Sequence, residues 1–309
     1  MAKKRVLSLF AILATIEDTA GLYKDPADTE AIPAQKGEIW TPDVSKEDID
    51  PLSNVRGARR TEVNANFATV PIKIDMRFPA NHTHIAPLLQ GCGVVGTVAD
   101  NITTYRFNST NEATLSLKQV AKRETTKVSG ARGSFKISCK AGESAKIEFD
   151  LKANLQDVIE LAPGADDNVI ANTPDVESVF MTKDCTAYLV NGNAASFKEI
   201  ELDLGGDIVV EKETCSLPAW IKDIKPELKV KMSVTPDNEG AFSDLKSGKE
   251  FSFVIPLFDI DGVKKYEIIA PKCVVIDNKK PDKDGVLSVE RTLECRKVNG
   301  DDNFEIKAY

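Results

Sequence analysis

The chain has 309 residues, a composition ordinary for a globular protein and a net charge of −8 with acids and bases interspersed. This composition suggests neither disorder nor a membrane class, and the chain lacks the long basic stripe that would hold DNA by its phosphates. The six cysteines, Cys92, Cys139, Cys185, Cys215, Cys273 and Cys295, are scattered without any C-x-x-C pair. They read as reduced structural thiols in a chain long enough for two domains, not as a disulfide framework.

In chain order, Lys3-Lys4-Arg5 and the apolar run Val6–Ile16 imitate a secretory signal. However, Glu17 and Asp18 follow at once and no A-x-A cleavage site is present, so a mature segment packed on the body is expected. Tyr23–Pro51, rich in Pro, Asp and Lys, reads as an extended arm or loop region. From Arg59 to Arg77 alternation appears, with Val63, Phe67, Val70, Ile72, Ile74 and Met76 apolar among polar residues. That is the pattern of a half-buried strand. Ile85–Gln90 predicts a short helix ended by Gly91 and Gly93. Thr103–Phe107, Thr114–Leu117 and Thr125–Val128 follow as strand candidates.

Gly130–Leu155 carries the clearest local signal. Phe135, Ile137 and Cys139 alternate with Ser134, Lys136 and Ser138. Lys140-Ala141-Gly142-Glu143 reverses the chain, and Ala145, Ile147, Phe149 and Leu151 alternate with Lys146, Glu148, Asp150 and Lys152. This is an antiparallel hairpin with Gly142 supplying positive φ, and Phe135, Ile137, Ile147 and Phe149 are expected inside.

Leu161–Asp175, with Pro163-Gly164 and Pro174, reads as a linker. Beyond it strands are predicted over Val179–Val190, Phe197–Leu204, Ile208–Glu213, Leu228–Val234, Phe251–Leu257, Tyr266–Ile269, Val274–Ile276, Val286–Arg296 and Phe304–Ala308. Asn191-Gly192 and Asp261-Gly262 are expected hairpin turns, and Ala241–Leu245 a second short helix. The fold class is therefore all-β with one or two short helices, an antiparallel sandwich or barrel. The expected organisation is an N-terminal segment and arm (1–58), a first β domain (59–160), a linker (161–175) and a second, similar β domain (176–309).

Several motifs mimic chemistry. Gly91-Cys92-Gly93-Val94-Val95-Gly96 matches G-x-G-x-x-G, but a dinucleotide needs a strand before the motif and a helix after it, and here the order is inverted. Asp282-Lys283-Asp284-Gly285 resembles a calcium loop, yet that register puts Lys280 and Arg291 where carboxylates are required. His82 and His84, the only histidines, lie near Cys92 but lack a full zinc ligand set. No G-x-S-x-G or phosphate loop occurs, and no pair of carboxylates is marked for acid–base work. Asn81, Asn101 and Asn108 head glycosylation sequons, which matter only in a secretory pathway. No catalytic residue, cofactor or metal is expected, and the chain is not expected to be an enzyme.

The order of short motifs resembles the tail tube (major tail) proteins of long, non-contractile-tailed bacteriophages. The resemblance is carried by Ile16-Glu17-Asp18-Thr19-Ala20-Gly21-Leu22-Tyr23, by Phe78-Pro79 with Ile85-Ala86-Pro87-Leu88-Leu89-Gln90-Gly91-Cys92-Gly93, by Gly130-Ala131-Arg132-Gly133 with Ala141-Gly142-Glu143, and by Ala270-Pro271-Lys272 with Asp282-Lys283-Asp284-Gly285. It implies a tail-tube type of sandwich or barrel that self-assembles into stacked rings, a trimer favoured over a hexamer. Double-stranded DNA would then pass through the channel without sequence-specific binding. It also implies a tape-measure protein, a tail terminator and a distal tail protein as partners. No membrane is involved, and assembly takes place in the host cytoplasm before the protein resides in the virion tail. The rival expectation is a secreted or surface two-domain β-sandwich that binds a ligand or host partner.

Overall fold

The computed structural model describes residues 9–27, 31–32, 34–35, 40, 42–49, 60–78, 85–111, 113–121, 124–160, 177–181, 187–210, 219–233, 241–280, 282–283 and 286–309. The chain opens with β1 (Leu9–Ile16), β2 (Ala31–Ile32), β3 (Pro42–Ile49), β4 (Arg60–Asp75) and β5 (Arg77–Phe78). Helix α1 (Ala86–Gly91) precedes β6 (Val94–Ala99), β7 (Ile102–Phe107), β8 (Leu115–Ala121), β9 (Glu124–Lys140) and β10 (Lys146–Glu160). The later strands are β11 (Glu177–Ser178), β12 (Leu189–Val190), β13 (Asn193–Ala194), β14 (Glu199–Asp203), β15 (Gly206–Val209), β16 (Trp220–Ile224) and β17 (Glu227–Ser233). Helix α2 (Ala241–Ser247) leads to β18 (Glu250–Phe258), β19 (Lys264–Lys279), β20 (Asp282–Lys283), β21 (Val286–Cys295) and β22 (Glu305–Ala308). Among the described residues all pairings are antiparallel, the fold is all-β with two short helices, and the strands form no closed barrel.

The Gly130–Leu155 hairpin is central. Lys140-Ala141-Gly142-Glu143 forms the turn, with Glu143 N–H donating to Lys140 O at 3.1 Å and Gly142 at φ 85°. Ser138↔Lys146 through Gly133↔Leu151 set the register, which puts Phe135, Ile137, Ile147 and Phe149 in the core as alternation predicts. Their neighbours Lys136 and Glu148 lie outward in cross-strand ion pairs, Lys136 with Asp203 (3.2 Å) and Glu201 (3.4 Å), Glu148 with Lys73.

Two long strands organise everything else by changing partners along one edge. The first part of β9 pairs β8, and its last five residues pair β14. Likewise β19 pairs β22 over Tyr266–Ile269 and then β21 from Cys273 to Lys279. One layer thus runs β3–β4–β10–β9–β14–β17–β21. The other runs β6–β7–β22–β19–β18–β12–β13. Met76, Ile137 and Ile147 on the side of the first layer meet Tyr105, Tyr266 and Ile306 of the second, with Leu89 of α1 and its N-cap Ile85 between them, around a residual cavity of about 10 Å³. Burial pushes the Tyr105 phenol up to about 12. At the far side, Phe180 makes single-residue bridges to Ser144 and to Phe258, linking the β9–β10 turn to the end of β18.

Strands from the two halves of the sequence pair directly, β9 with β14 and β7 with β22. Residues 161–175, read as the linker, lie outside the described residues. Phe304, just before the last strand, packs edge-on against Phe135 at 6.1 Å between ring centroids, and Phe135 contacts Phe149 at 6.2 Å. The loop before it is tied to the first half by Asp301, whose carboxylate accepts from Ser109 N–H (2.9 Å) and Ser109 Oγ (2.8 Å).

Elsewhere the reading of the sequence is refined. The candidates Thr125–Val128 and Ser134–Cys139 are one strand, as are Tyr266–Ile269 and Val274–Ile276. Val179–Val190 is not continuous, since only the Phe180 bridges and β12 are strand-like among its described residues. Asn191-Gly192 is a two-residue primed turn with φ of 52° and 77°. Asp261-Gly262 instead lies in a longer loop closed by Asp259, with Gly262 at φ 79° accepting the left-handed position after the turn. Parts of the expected arm are sheet: β2 pairs β1 and β3 pairs β4.

Phe304→Ala is expected to cost about 3–5 kcal/mol, because it empties an aromatic site between the halves; denaturant unfolding measures it. The Ser109 N–H, then its hydroxyl, holds the Asp301 carboxyl below the ordinary carboxylate range. A folded value below the unfolded one, about 3.9, stabilises fully above that value and is lost as pH falls through the folded value. Asp301→Asn should therefore flatten the acid limb of the stability–pH curve relative to wild type.

Candidate assembly surfaces

At Gly130 the ladder of β9 is interrupted. Arg132 pairs Lys152 and Ser129 pairs Asn154, so Gly130 and Ala131 together face the single residue Ala153. This is a β-bulge, and Gly130 takes the positive φ of 63° that such a position requires. Three residues on, a side chain at Gly133 would put Cβ 2.1 Å from Asp150 O, so only glycine lets β9 approach β10 there. Both glycines of Gly130-Ala131-Arg132-Gly133 thus answer to backbone geometry.

A bulge frees a backbone donor, and a buried free donor must be satisfied. Glu17, immediately after β1, supplies the acceptor. Its carboxylate takes Gly130 N–H (2.7 Å), Gly21 N–H (2.7 Å), Thr114 Oγ1 (2.6 Å) and Ser116 Oγ (2.8 Å). Glu17 is only 8% exposed. Around it, Ser129 Oγ donates to Gly21 O and receives Gln156 Nε2, while Lys24 N–H donates to Ser116 Oγ. The acidic-Thr-Gly patch therefore seals the bend of β9 and fastens the N-terminal segment to β8 and β9. Nothing in the sequence linked Glu17 to Gly130, which are 113 positions apart.

The bend carries strand ends outward. Beyond Asn154↔Phe67, β10 leaves β4, and after a register shift at Gln156 its last residues Asp157–Glu160 pair only β9, with no strand on their other edge among the described residues. Val158 and Ile159 are about two-fifths exposed there, between Asp157 and Glu160. Among the described residues β6 also has an unpaired edge, with β7 as its strand neighbour on the other side. Its end is exposed, with Val98 at 72%. Asp100 and Asn101, at φ 52° and 62°, close this hairpin as a two-residue primed turn. The Asp-Asn pair between apolar runs was the sequence signal for it, and β6 was not foreseen. Long free edges with exposed apolar residues are templates for pairing with another chain.

The motifs that mimic chemistry fall in other places. Gly91 ends α1, Gly93 turns at φ 80°, and β6 follows, so helix precedes strand as expected. Asp282-Lys283 is a short strand pairing Val286-Leu287, while Asp284 and Gly285 lie outside the described residues. His82, His84 and the Asn81 sequon also lie outside them, as do Cys185 and Cys215. Cys92 is fully buried, and burial pushes its thiol well up. Asn101 sits in the β6–β7 turn, and Asn108 accepts from Thr110 N–H and Oγ1 in a local loop. Among the described residues, no group of three or more His, Cys, Asp or Glu is placed to hold a metal, and no helix is long and apolar enough to cross a membrane.

No protein-family model matches this sequence, and no curated protein matches it. The surfaces must therefore be judged by their own geometry. The outer face of β9, β14 and β17 is a mixed ladder, with Lys136, Lys140 and Lys229 paired to Glu199, Glu201 and Asp203. Exposed pairs of this kind each contribute little, and their alternating sign offers neither a polyanion nor a polycation a uniform field. Among the described residues, the end of β10 and β6 combine an unpaired strand edge with exposed apolar side chains, which suits them to binding.

Glu17→Ala is expected to destabilise the protein by about 3 kcal/mol or more, since four donors lose their acceptor. Glu17→Gln, which keeps one acceptor oxygen, should fall between; equilibrium unfolding with both variants measures the difference.

Proposed function

We propose that the chain is a structural subunit that assembles with copies of itself through its sheet edges, in the manner of the tail tube proteins its motifs resemble. The observation that carries this reading is the pair of free strand ends, Asp157–Glu160 of β10 and Thr97–Ala99 of β6. Both set exposed apolar side chains on a strand edge that has no neighbour among the described residues. Backbone pairing at one edge supplies affinity, and the projecting side chains supply register. Repeated head-to-tail, such contacts close into a ring when the rotation fits, and rings can stack into a tube. Under this reading double-stranded DNA occupies the channel without sequence-specific contacts. The tape-measure, terminator and distal tail proteins meet the tube, and the role is structural rather than enzymatic.

Electron microscopy of the purified chain, with light scattering across a concentration series, tests the reading. Rings or tubes are expected, and Val158→Lys/Ile159→Lys in β10 should abolish them while leaving the monomer folded. A wild-type chain that stays monomeric at every concentration would overturn it.

A further inference from the structure

A different feature lies where β19 exchanges β22 for β21. Cys273 is the first residue of β19 to pair β21, and its register partner there is Cys295. The two sulfurs are 3.7 Å apart, and both residues are buried. Arg296 N–H donates to Lys272 O at 2.8 Å, a bond between the positions flanking the two cysteines. The cysteines are therefore a non-hydrogen-bonded pair, the kind in which facing Cα atoms stand about 4.5 Å apart and side chains come closest. That spacing lies within the range a disulfide spans, about 4.4–6.8 Å. The Cys295 backbone is fixed on two further sides, its N–H donating to Pro226 O (2.8 Å) and its carbonyl accepting from Asn303 Nδ2 (3.0 Å). Cys92 and Cys139 have no such sulfur neighbour among the described residues.

We propose that Cys273 and Cys295 are a latent cross-strand disulfide, reduced in the chain as folded and closed by oxidation without rearrangement of β19 or β21. With a small aliphatic disulfide as oxidant, one thiolate attacks the reagent's S–S bond and releases one equivalent of reagent thiol. The second thiolate then displaces the remaining half as a second thiol, leaving the protein S–S bond. Two protein thiols are oxidised and one reagent disulfide is reduced to two thiols. The hydrogen bond to Cys295 and burial both hold the Cys273 thiol up, so thiolate is scarce at neutral pH and closure accelerates as pH rises. The crosslink spans 22 positions of sequence and staples the corner at which β19 changes partner. It does not depend on the assembly reading, since a chain that never forms rings tests it equally well.

The experiment treats the full-length protein with hydroxyethyl disulfide at mildly alkaline pH, blocks residual thiols and maps the peptides by mass spectrometry. The expected result is a Cys273–Cys295 crosslink with the loss of two hydrogen atoms and a thermal midpoint raised by several degrees. A reductant should reverse both changes. Cys273→Ser and Cys295→Ser should each lose the crosslink and the gain in midpoint. If either variant fails to fold, the wild-type peptide map still decides. Recovery of Cys273 and Cys295 as free thiols, as separate mixed disulfides, or crosslinked to other cysteines overturns the proposal.

Discussion

The structure depends on the carboxylate of Glu17 filling the bulge in β9. A 17-residue strand cannot serve two neighbours on one edge without bending, and the bend at Gly130 takes backbone N–H out of the ladder. Left open in the interior, that donor and the nearby Thr114 and Ser116 hydroxyls would each cost about 1–3 kcal/mol. One acceptor with two oxygens serves all of them and Gly21 as well. No cation accompanies it in that set of contacts. The burial of the carboxyl group is compensated by four hydrogen bonds to its two oxygens. The N-terminal segment is thereby part of the fold's logic, since without it the bend has no partner.

From that bend follow the layers. Upstream of Gly130, β9 belongs with β8 and β1; downstream, it belongs with β14 and β17. The same device recurs at β19, where β22 gives way to β21. Each partner-switching strand thus joins two stretches of sheet that would otherwise have ended in free edges. Among the described residues the end of β10 and β6 each keep an unpaired edge, and there apolar side chains stand in solvent. The Phe304–Phe135–Phe149 contact then locks the end of the sequence onto the same hairpin.

Much of this was legible in the sequence because it is periodic. Alternation placed Phe135, Ile137, Ile147 and Phe149 inside, and Ala-Pro-Leu-Leu placed α1, since period and local termination are short-range properties. Gly142 and Asn191-Gly192 were read for the same reason. The strands β1, β3 and β6 were not read as strands. β1 is nearly uniformly apolar and shows no alternation, β3 runs through charged residues, and the Asp-Asn turn that defines β6 lacks glycine. The union of Thr125–Val128 with the hairpin was hidden by Gly130, which in a sequence signals a break and in the fold marks a bulge. The Glu17 cap could not be read at all, because its partners lie on three separate segments that only the sheet brings together. The free edges were equally invisible, since an edge is defined by the neighbour it lacks.

Energetics bear on how such edges can act. A strand end of five or six residues makes only a few new backbone hydrogen bonds, each contributing about 0.5–1.5 kcal/mol net. Burial of Val158, Ile159 or Val98 adds about 1.5–3 kcal/mol for each side chain fully covered. Association costs an estimated 4–15 kcal/mol in lost freedom of motion. One edge contact alone therefore sits near the threshold of stability. If copies assemble as proposed, the edges at β10 and β6 together would change the balance, because the contact that closes a ring forms within an assembly already tethered and does not repeat that cost. Such an assembly would favour monomers or complete rings over open intermediates, and it would be steep in concentration. The chain would then stay soluble while dilute and polymerise only where its copies accumulate.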